Sequence, residues 1–218
     1  MPFGLDGSKG GTFPTWTTAG RPASPVAGQT GYNSTLGTLE TYNGSLWEPF
    51  VARTDSGTVT PTMLSQPLTL ATAQNTTSGT AIDFTGIPSW VKRITVLFQG
   101  VSTNGTSLVQ VQLGSGSIAT STYVGNYGNP VAASVHGTGF VTGGNASAAD
   151  LRSGTVVLCH MGANIWTEAG IIGVTSGQQP YVSSGYIALS GVLDRLRLTT
   201  VNGTDTFDAG SVNILYEG

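Results

Sequence analysis

The residues able to do chemistry are few and poorly assembled. Cys159-His160 has the composition of a nucleophile–base dyad. Consecutive residues of a strand point to opposite faces, however, so sulfur and imidazole should diverge. Ser134 and His136 would share a face of an extended segment, and Asp150 could complete a triad, although no nucleophile elbow or oxyanion motif accompanies them. Glu168 and Asp150 are the carboxylates that a glycoside-cleaving pair would have to use. With only His136 and His160 as imidazoles, and acidic residues scattered along the chain, no metal site is expected. Asp205 and Asp208 could face a calcium ion but read as turn residues. Gly114-Ser115-Gly116-Ser117-Ile118-Ala119 fits a dinucleotide fingerprint in spacing alone. Gly125, Gly128 and Pro130 deny it the helix it needs, so a glycine hairpin is expected and no cofactor is called for. Tyr123, Tyr127 and Tyr181, set among Gly, Ser, Asn and Pro, are candidate ligand contacts: rigid amphipathic rings amid small polar groups suit adaptable surfaces, including those for sugars.

The elements that must carry these residues are strands. Gly, Thr, Ser, Asn and Val interrupt every window in which apolar residues could recur at helical spacing. From Ile82 onward, short alternating runs separated by Gly/Asn/Ser turns predict strands near 81–84, 91–101, 107–113, 137–142, 154–161, 166–174, 185–189, 195–201 and 211–216. The expected fold is all-β: an antiparallel, jelly-roll-like β-sandwich over residues 81–218. Residues 51–80, rich in Thr, Ser and Gln with Pro61 and Pro67, read as a linker. Residues 1–28 read as an extended arm, and residues 29–50 as a small β-meander turning at Gly37 and at Asn43-Gly44, a favoured type I′ pair. So small a meander is marginal by itself. Phe3, Phe13, Trp16, Tyr32, Tyr42, Trp47 and Phe50 are therefore candidate docking residues for a covering surface.

Composition removes several classes of function. Charged residues make up 9% of the 218-residue chain, and the net charge is −3. Only eight residues are Lys or Arg, too few to bind nucleic acid by neutralising phosphates. At 39% hydrophobic residues, the chain should fold rather than stay disordered. Apolar runs such as Ile94–Phe98 are far shorter than a membrane span, and the first residues lack the pattern of a secretory signal, so neither membrane insertion nor export is expected. The Asn-x-Ser/Thr sequons at Asn33, Asn43, Asn75, Asn104, Asn145 and Asn202 follow from the Asn/Ser/Thr-rich composition. Cys159 is the single cysteine, so stability must come from packing or association.

Two stretches carry a family resemblance. Arg21-Pro22 through Gly31-Tyr32-Asn33, followed by Leu39-Glu40-Thr41-Tyr42-Asn43-Gly44-Ser45-Leu46-Trp47, resembles a module of virion proteins of tailed bacteriophages, among them fibres and head-surface proteins. Residues 184–189 through 206–216 are similar to the β-sandwich ends of phage fibre and decoration proteins. The resemblance implies a non-enzymatic virion component assembled in the bacterial cytoplasm. It would be a homotrimer, anchored to other virion proteins through its N-terminal part and exposing a β-sandwich that could meet a host-surface glycan. Lack of a shaft leaves tail fibre or spike and capsid decoration or head fibre both open. A short polysaccharide-cleaving tip is a minor alternative.

Overall fold

The computed structural model describes residues 4–6, 10–50, 68–143, 147–176 and 180–218. The chain divides into two compact units, Met1–Ser65 and Gln66–Gly218. Phe3 and most of the expected linker, residues 51–67, lie outside the described residues.

In the first unit β1 (Gly4–Asp6) pairs with β2 (Gly10–Thr12) as a hairpin. A four-stranded sheet follows, ordered β3 (Thr15–Trp16), β4 (Thr30–Asn33), β5 (Thr38–Tyr42), β6 (Trp47–Pro49). The meander β4-β5-β6 is antiparallel, and β3 adds to it in parallel. Residues 1–28 are thus not a plain extended arm: two residues around Trp16 join the sheet, and a 3-10 turn, Thr18–Gly20, leads away from it. Gly37 makes the first reversal with φ +67°. The second differs from the two-residue turn expected at Asn43-Gly44. Tyr42 pairs with Trp47, leaving a four-residue loop in which Asn43 Oδ1 accepts the Ser45 and Leu46 N–H groups. The Asn side chain builds the turn, as Asx turns do.

The second unit is an all-β sandwich, as the alternation predicts. Its strands in chain order are β7 (Thr69–Leu70), β8 (Gln74–Asn75), β9 (Ala81–Thr85), β10 (Arg93–Thr103), β11 (Val109–Ser115), β12 (Ser117–Ile118), β13 (Val124–Gly128), β14 (Ala133–Val135), β15 (Phe140–Val141), β16 (Arg152–Gly162), β17 (Ile165–Val174), β18 (Tyr181–Ala188), β19 (Arg195–Thr200) and β20 (Phe207–Glu217). The larger sheet runs β14-β13-β18-β17-β16-β10-β20-β7, with β8 also on β20; the smaller runs β12-β11-β19-β9, with β15 on β11. Because β7 and β8 pair with β20, the sandwich begins well before residue 81 and the linker reading ended too late.

Four antiparallel pairs nest inside one another: β10 with β20, β11 with β19, β13 with β18, β16 with β17. This is the nesting of a rolled-up hairpin, the sense in which the fold is jelly-roll-like. Three of the four pairs lie in the larger sheet, so the sheets are unequal rather than matched.

Alternation fills the space between the sheets. Ile94, Val96 and Phe98 of β10, Val156 and Leu158 of β16, Trp166 and Ile172 of β17, and Val212 and Ile214 of β20 meet Val111, Leu113, Leu196 and Leu198 of the smaller sheet in one buried cluster. The long β10–β20 ladder bends at a bulge between Gln99 and Ser102. There Gly210 sits at φ +89° with its α-carbon against Gly100; a Cβ on Gly210 would come 2.3 Å from the Gly100 carbonyl oxygen. Glycine is thus required twice over, by conformation and by contact.

Candidate functional site

In the first unit the resembled module closes around one carboxylate. Alternation on β4 and β5 turns Asn33 and Glu40 to the buried side of the small sheet. Glu40 Oε1 accepts from Trp16 Nε1 at 2.6 Å, Arg21 Nε at 2.8 Å and Asn33 Nδ2 at 3.0 Å, while Oε2 accepts from Arg21 Nη2 at 2.6 Å. The bidentate guanidinium holds the Glu40 carboxyl down at about 2, helped by the Trp16 and Asn33 donors and opposed by burial. Trp47 stands edge-on to the Trp16 indole at 5.0 Å and also meets Tyr42 at 5.5 Å. The indole lies flat on Gly31, where any Cβ would overlap the ring. Arg21, Gly31, Asn33, Glu40, Tyr42 and Trp47 of the module are therefore one packed node.

Of the candidate docking aromatics, Trp16 is buried within this unit, and Tyr42 and Trp47 are half-buried against it. Phe13, Tyr32 and Phe50 are exposed, at 44%, 39% and 55%. The node consumes three rings and leaves three facing outward.

In the second unit the tyrosines separate. Tyr123 and Tyr181 are core residues rather than surface contacts. Tyr123 Oη accepts the Leu113 N–H and donates to the Ala119 carbonyl, and burial raises its pKa. Their Gly/Ser/Asn neighbours suggested loops, but Tyr181 opens β18 with its ring turned inward. Tyr127 of β13 stays half-exposed and stands between two clefts, of about 480 Å³ and about 410 Å³. Asn126, Asn129, Ser183 and Ser184 line the larger; Thr138, Val135 and Val201 help line the other. No residue lining either cleft is charged.

Beneath Tyr127 lies a buried polar pair that the sequence did not single out. The Tyr127 ring stacks on His136 at 5.7 Å, and His136 meets Phe140 edge-on at 5.5 Å. His136 Nδ1 accepts the Val141 N–H at 3.1 Å, which leaves the ring proton on Nε2. That nitrogen faces Glu168 Oε2 at 3.8 Å, both side chains being fully buried. The Ser183 hydroxyl donates to the other Glu168 oxygen at 2.6 Å. Burial pushes the Glu168 carboxyl up to about 7, against the Ser183 bond, and lowers the pKa of His136. Gly170 of β17 leaves room for this bond, since a Cβ there would come 2.5 Å from Ser183 Oγ and 2.9 Å from Glu168 Oε1.

The proposed triad is not brought together. Ser134 is exposed on an edge strand and His136 is engaged with Val141 and Glu168. Asp150 instead accepts the Ser147 and Ser176 N–H groups, clamping two turns. Glu168 and Asp150 thus belong to separate networks. Cys159 and His160 diverge as expected, the imidazole lying 5.2 Å from the buried Trp166 ring. Gly114 to Ile118 form the expected glycine hairpin, with Gly116 at φ +70°. Asp205 is a turn residue, accepting from Ser107 N–H and Asn202 Nδ2. Among the described residues no cluster of three or more His, Cys, Asp or Glu side chains could hold a metal. No described helix is long and apolar enough to cross a membrane.

Comparison with protein-family models, curated proteins and solved structures finds no match to this chain.

Two outcomes follow from these networks. Replacing Glu40 by Gln leaves the Arg21 guanidinium without its counter-charge and should lower the denaturation midpoint of the first unit. The Trp16 indole N–H resonance, displaced downfield by the short bond to Glu40, should move upfield in the variant's folded fraction. A wild-type denaturation midpoint would contradict the node.

The second outcome concerns pH. Folded Glu168 keeps its proton to about 7, whereas the unfolded carboxyl releases it near 4.5. Its contribution therefore falls as pH rises through that window, by about 3 kcal/mol in total. His136 acts oppositely: the unfolded ring takes up a proton below 6.5 while the folded ring resists, so stability falls as pH drops. Below pH 6.5 the two slopes oppose each other, so urea midpoints of the sandwich should fall less steeply with rising pH than Glu168 alone would dictate. Glu168→Gln should expose the histidine slope, with stability falling toward acid. His136→Asn should expose the opposite slope. Parallel profiles for both variants would refute the pairing.

Proposed function

We propose that this chain is a non-enzymatic structural component of a bacteriophage virion, a trimeric fibre or spike protein exposing its β-sandwich for adhesion to the host surface. The observation that carries this reading is the Glu40 node. Among the residues through which the sequence resembles phage virion proteins, Arg21 and Asn33 bind the Glu40 carboxylate and Trp47 packs on the Trp16 ring that it holds, in a unit separate from the sandwich. So specific an arrangement supports common architecture better than shared composition does. Phe13, Tyr32 and Phe50 remain outside the node and are the docking side of that unit, with tail, baseplate or capsid proteins as partners.

The sandwich supplies the adhesive end. A half-exposed Tyr127 ring, backed by His136 and flanked by amide and hydroxyl groups without charge, suits an uncharged, hydroxyl-rich ligand such as a host-surface glycan. Glu168 and Asp150 are committed to internal hydrogen bonds, which favours adhesion over polysaccharide cleavage. Capsid decoration is the second reading, since the same docking unit would serve a shell.

Electron cryo-microscopy of particles carrying this protein distinguishes these outcomes. A few to a few dozen copies at the tail or a vertex are expected, and removal of residues 1–50 should abolish incorporation. Hundreds of copies over the shell would replace the fibre reading by decoration. Incorporation undiminished by the truncation would overturn docking through the first unit.

A further inference from the structure

The space beneath Tyr127 holds two polar groups that face each other without bonding. β17 turns Glu168 inward, and His136 follows directly on β14. Glycine makes the room: a Cβ on Gly185 of β18 would come 3.0 Å from the His136 ring. Within that space His136 Nε2 and Glu168 Oε2 lie 3.8 Å apart, too far for a hydrogen bond, and neither atom has another partner. Proton placement accounts for the gap. Nδ1 accepts the Val141 N–H, which fixes the imidazole hydrogen on Nε2. Oε1 accepts the Ser183 hydroxyl, which leaves Oε2 to carry the hydrogen of a neutral carboxyl. Two donors then meet head-on, and loss of one proton turns the contact into a donor facing an acceptor. The other titratable groups on the elements packed here face elsewhere or are rings of the core. On β16, His160 is turned to Trp166, and Arg152 sits beside Asp150 and opposite Val174, whereas Glu168 is opposite Leu158. On β18, Tyr181 is a core ring. From the smaller sheet, Phe140 carries the ring contacts from His136 on to Tyr123, whose hydroxyl is bound to Leu113 and Ala119.

We propose that Glu168 is a proton switch for the Tyr127 cleft: while it is neutral the imidazole stays against Tyr127, and its ionisation draws the imidazole inward and withdraws that support. Tyr127 is the ring that registers the change, because it stacks on His136 at 5.7 Å with the planes 27° apart. Little else holds the chain there, since β14 is an edge strand of three exposed residues. Once Glu168 gives its proton to solvent, Oε2 is an acceptor, and the Nε2–H closes on it to a charge-assisted bond of about 2.8 Å. The imidazole therefore moves inward by about 1 Å, pivoting on its Val141 bond. Burial places the Glu168 transition at about 7 and keeps His136 neutral there by lowering its pKa. Ligand affinity should accordingly fall as pH rises through neutrality. That consequence rests on the adhesive reading of the cleft; the movement of the rings does not.

Nuclear magnetic resonance of the full chain between about pH 5.5 and about pH 8.5, beside Glu168→Gln, tests it. In the unaltered chain the Glu168 carboxyl carbon, the His136 Nε2–H and the Tyr127 ring protons should shift together with one midpoint at about 7, the Nε2–H moving downfield as its bond forms. In Glu168→Gln the His136 and Tyr127 signals should stay level over the same range. A Tyr127 ring that does not follow the Glu168 carbon, or that titrates equally in the variant, overturns the switch, as does a carboxyl carbon that does not titrate in this range. Should the variant fail to fold, coincidence or divergence of the three wild-type midpoints decides alone. Adsorption of particles carrying the chain to host cells separates the switch from the reading it rests on. It should weaken by about two- to tenfold across the range, the worth of one aromatic contact, and stay level for Glu168→Gln. Adsorption indifferent to pH beside titrating rings would overturn adhesion through this cleft and leave the switch standing.

Discussion

The Glu40 carboxylate is the constraint on which the amino-terminal unit depends. Short strands of two to five residues cannot enclose a hydrophobic core, and isolated sheets of this size are marginal in water. Here one buried charge compensates by accepting bonds from an indole, a guanidinium and an amide that lie seven to twenty-four residues away in the chain. Removing water from such an ion costs several kcal/mol unless hydrogen bonds replace it, and Arg21, Trp16 and Asn33 direct four donors at the two oxygens. Rings then pack on the outside of the node instead of the inside of a core. That inversion leaves Phe13, Tyr32 and Phe50 exposed, and these are the rings proposed to dock.

The sandwich is stabilised in the ordinary way, by alternation, and its departures from that pattern are where function is proposed. An average strand face balances apolar and charged residues; this chain has too few charges to do so everywhere. It spends them in pairs on the smaller sheet and at the β10–β20 end, leaving a broad neutral field on the other side. The internal departure is Glu168 with His136. Neither is compensated by a full opposite charge, and each titrates away from its charged form, so the pair remains nearly neutral beneath Tyr127. Aromatic stacking continues from Tyr127 through His136 and Phe140 to Tyr123, giving the exposed ring a rigid backing.

Much of this was legible because period-two alternation is a local signal. The strands from β9 onward with long alternating runs, the last of them near 211–216, and the glycine hairpin at Gly116 could be read directly. Composition misleads where tertiary contacts override it. Strands β7, β8 and β14 at the sheet edges, and β13 next to one of them, are short or glycine-rich and owe their extension to neighbouring strands rather than to their own residues. Tyr123 and Tyr181 sit among turn-forming residues, yet their rings reach the core. The Asn43 turn depends on a side-chain acceptor that dipeptide preference does not register. The Glu40 node could be seen as a recurring pattern of residue types but not as a geometry. Its members gain meaning only when β3 returns to pair beside β4.

The central claim is that the first unit closes around Glu40 and turns its remaining rings toward a larger particle. Hydroxyl-radical footprinting of the free chain and of the same chain incorporated in a virion tests this most directly. Trp16 should be protected in both states, while Phe13, Tyr32 and Phe50 should be oxidised in the free chain and protected on the particle. Equal oxidation of these three rings in both states, or a reactive Trp16 in the free chain, would contradict the account.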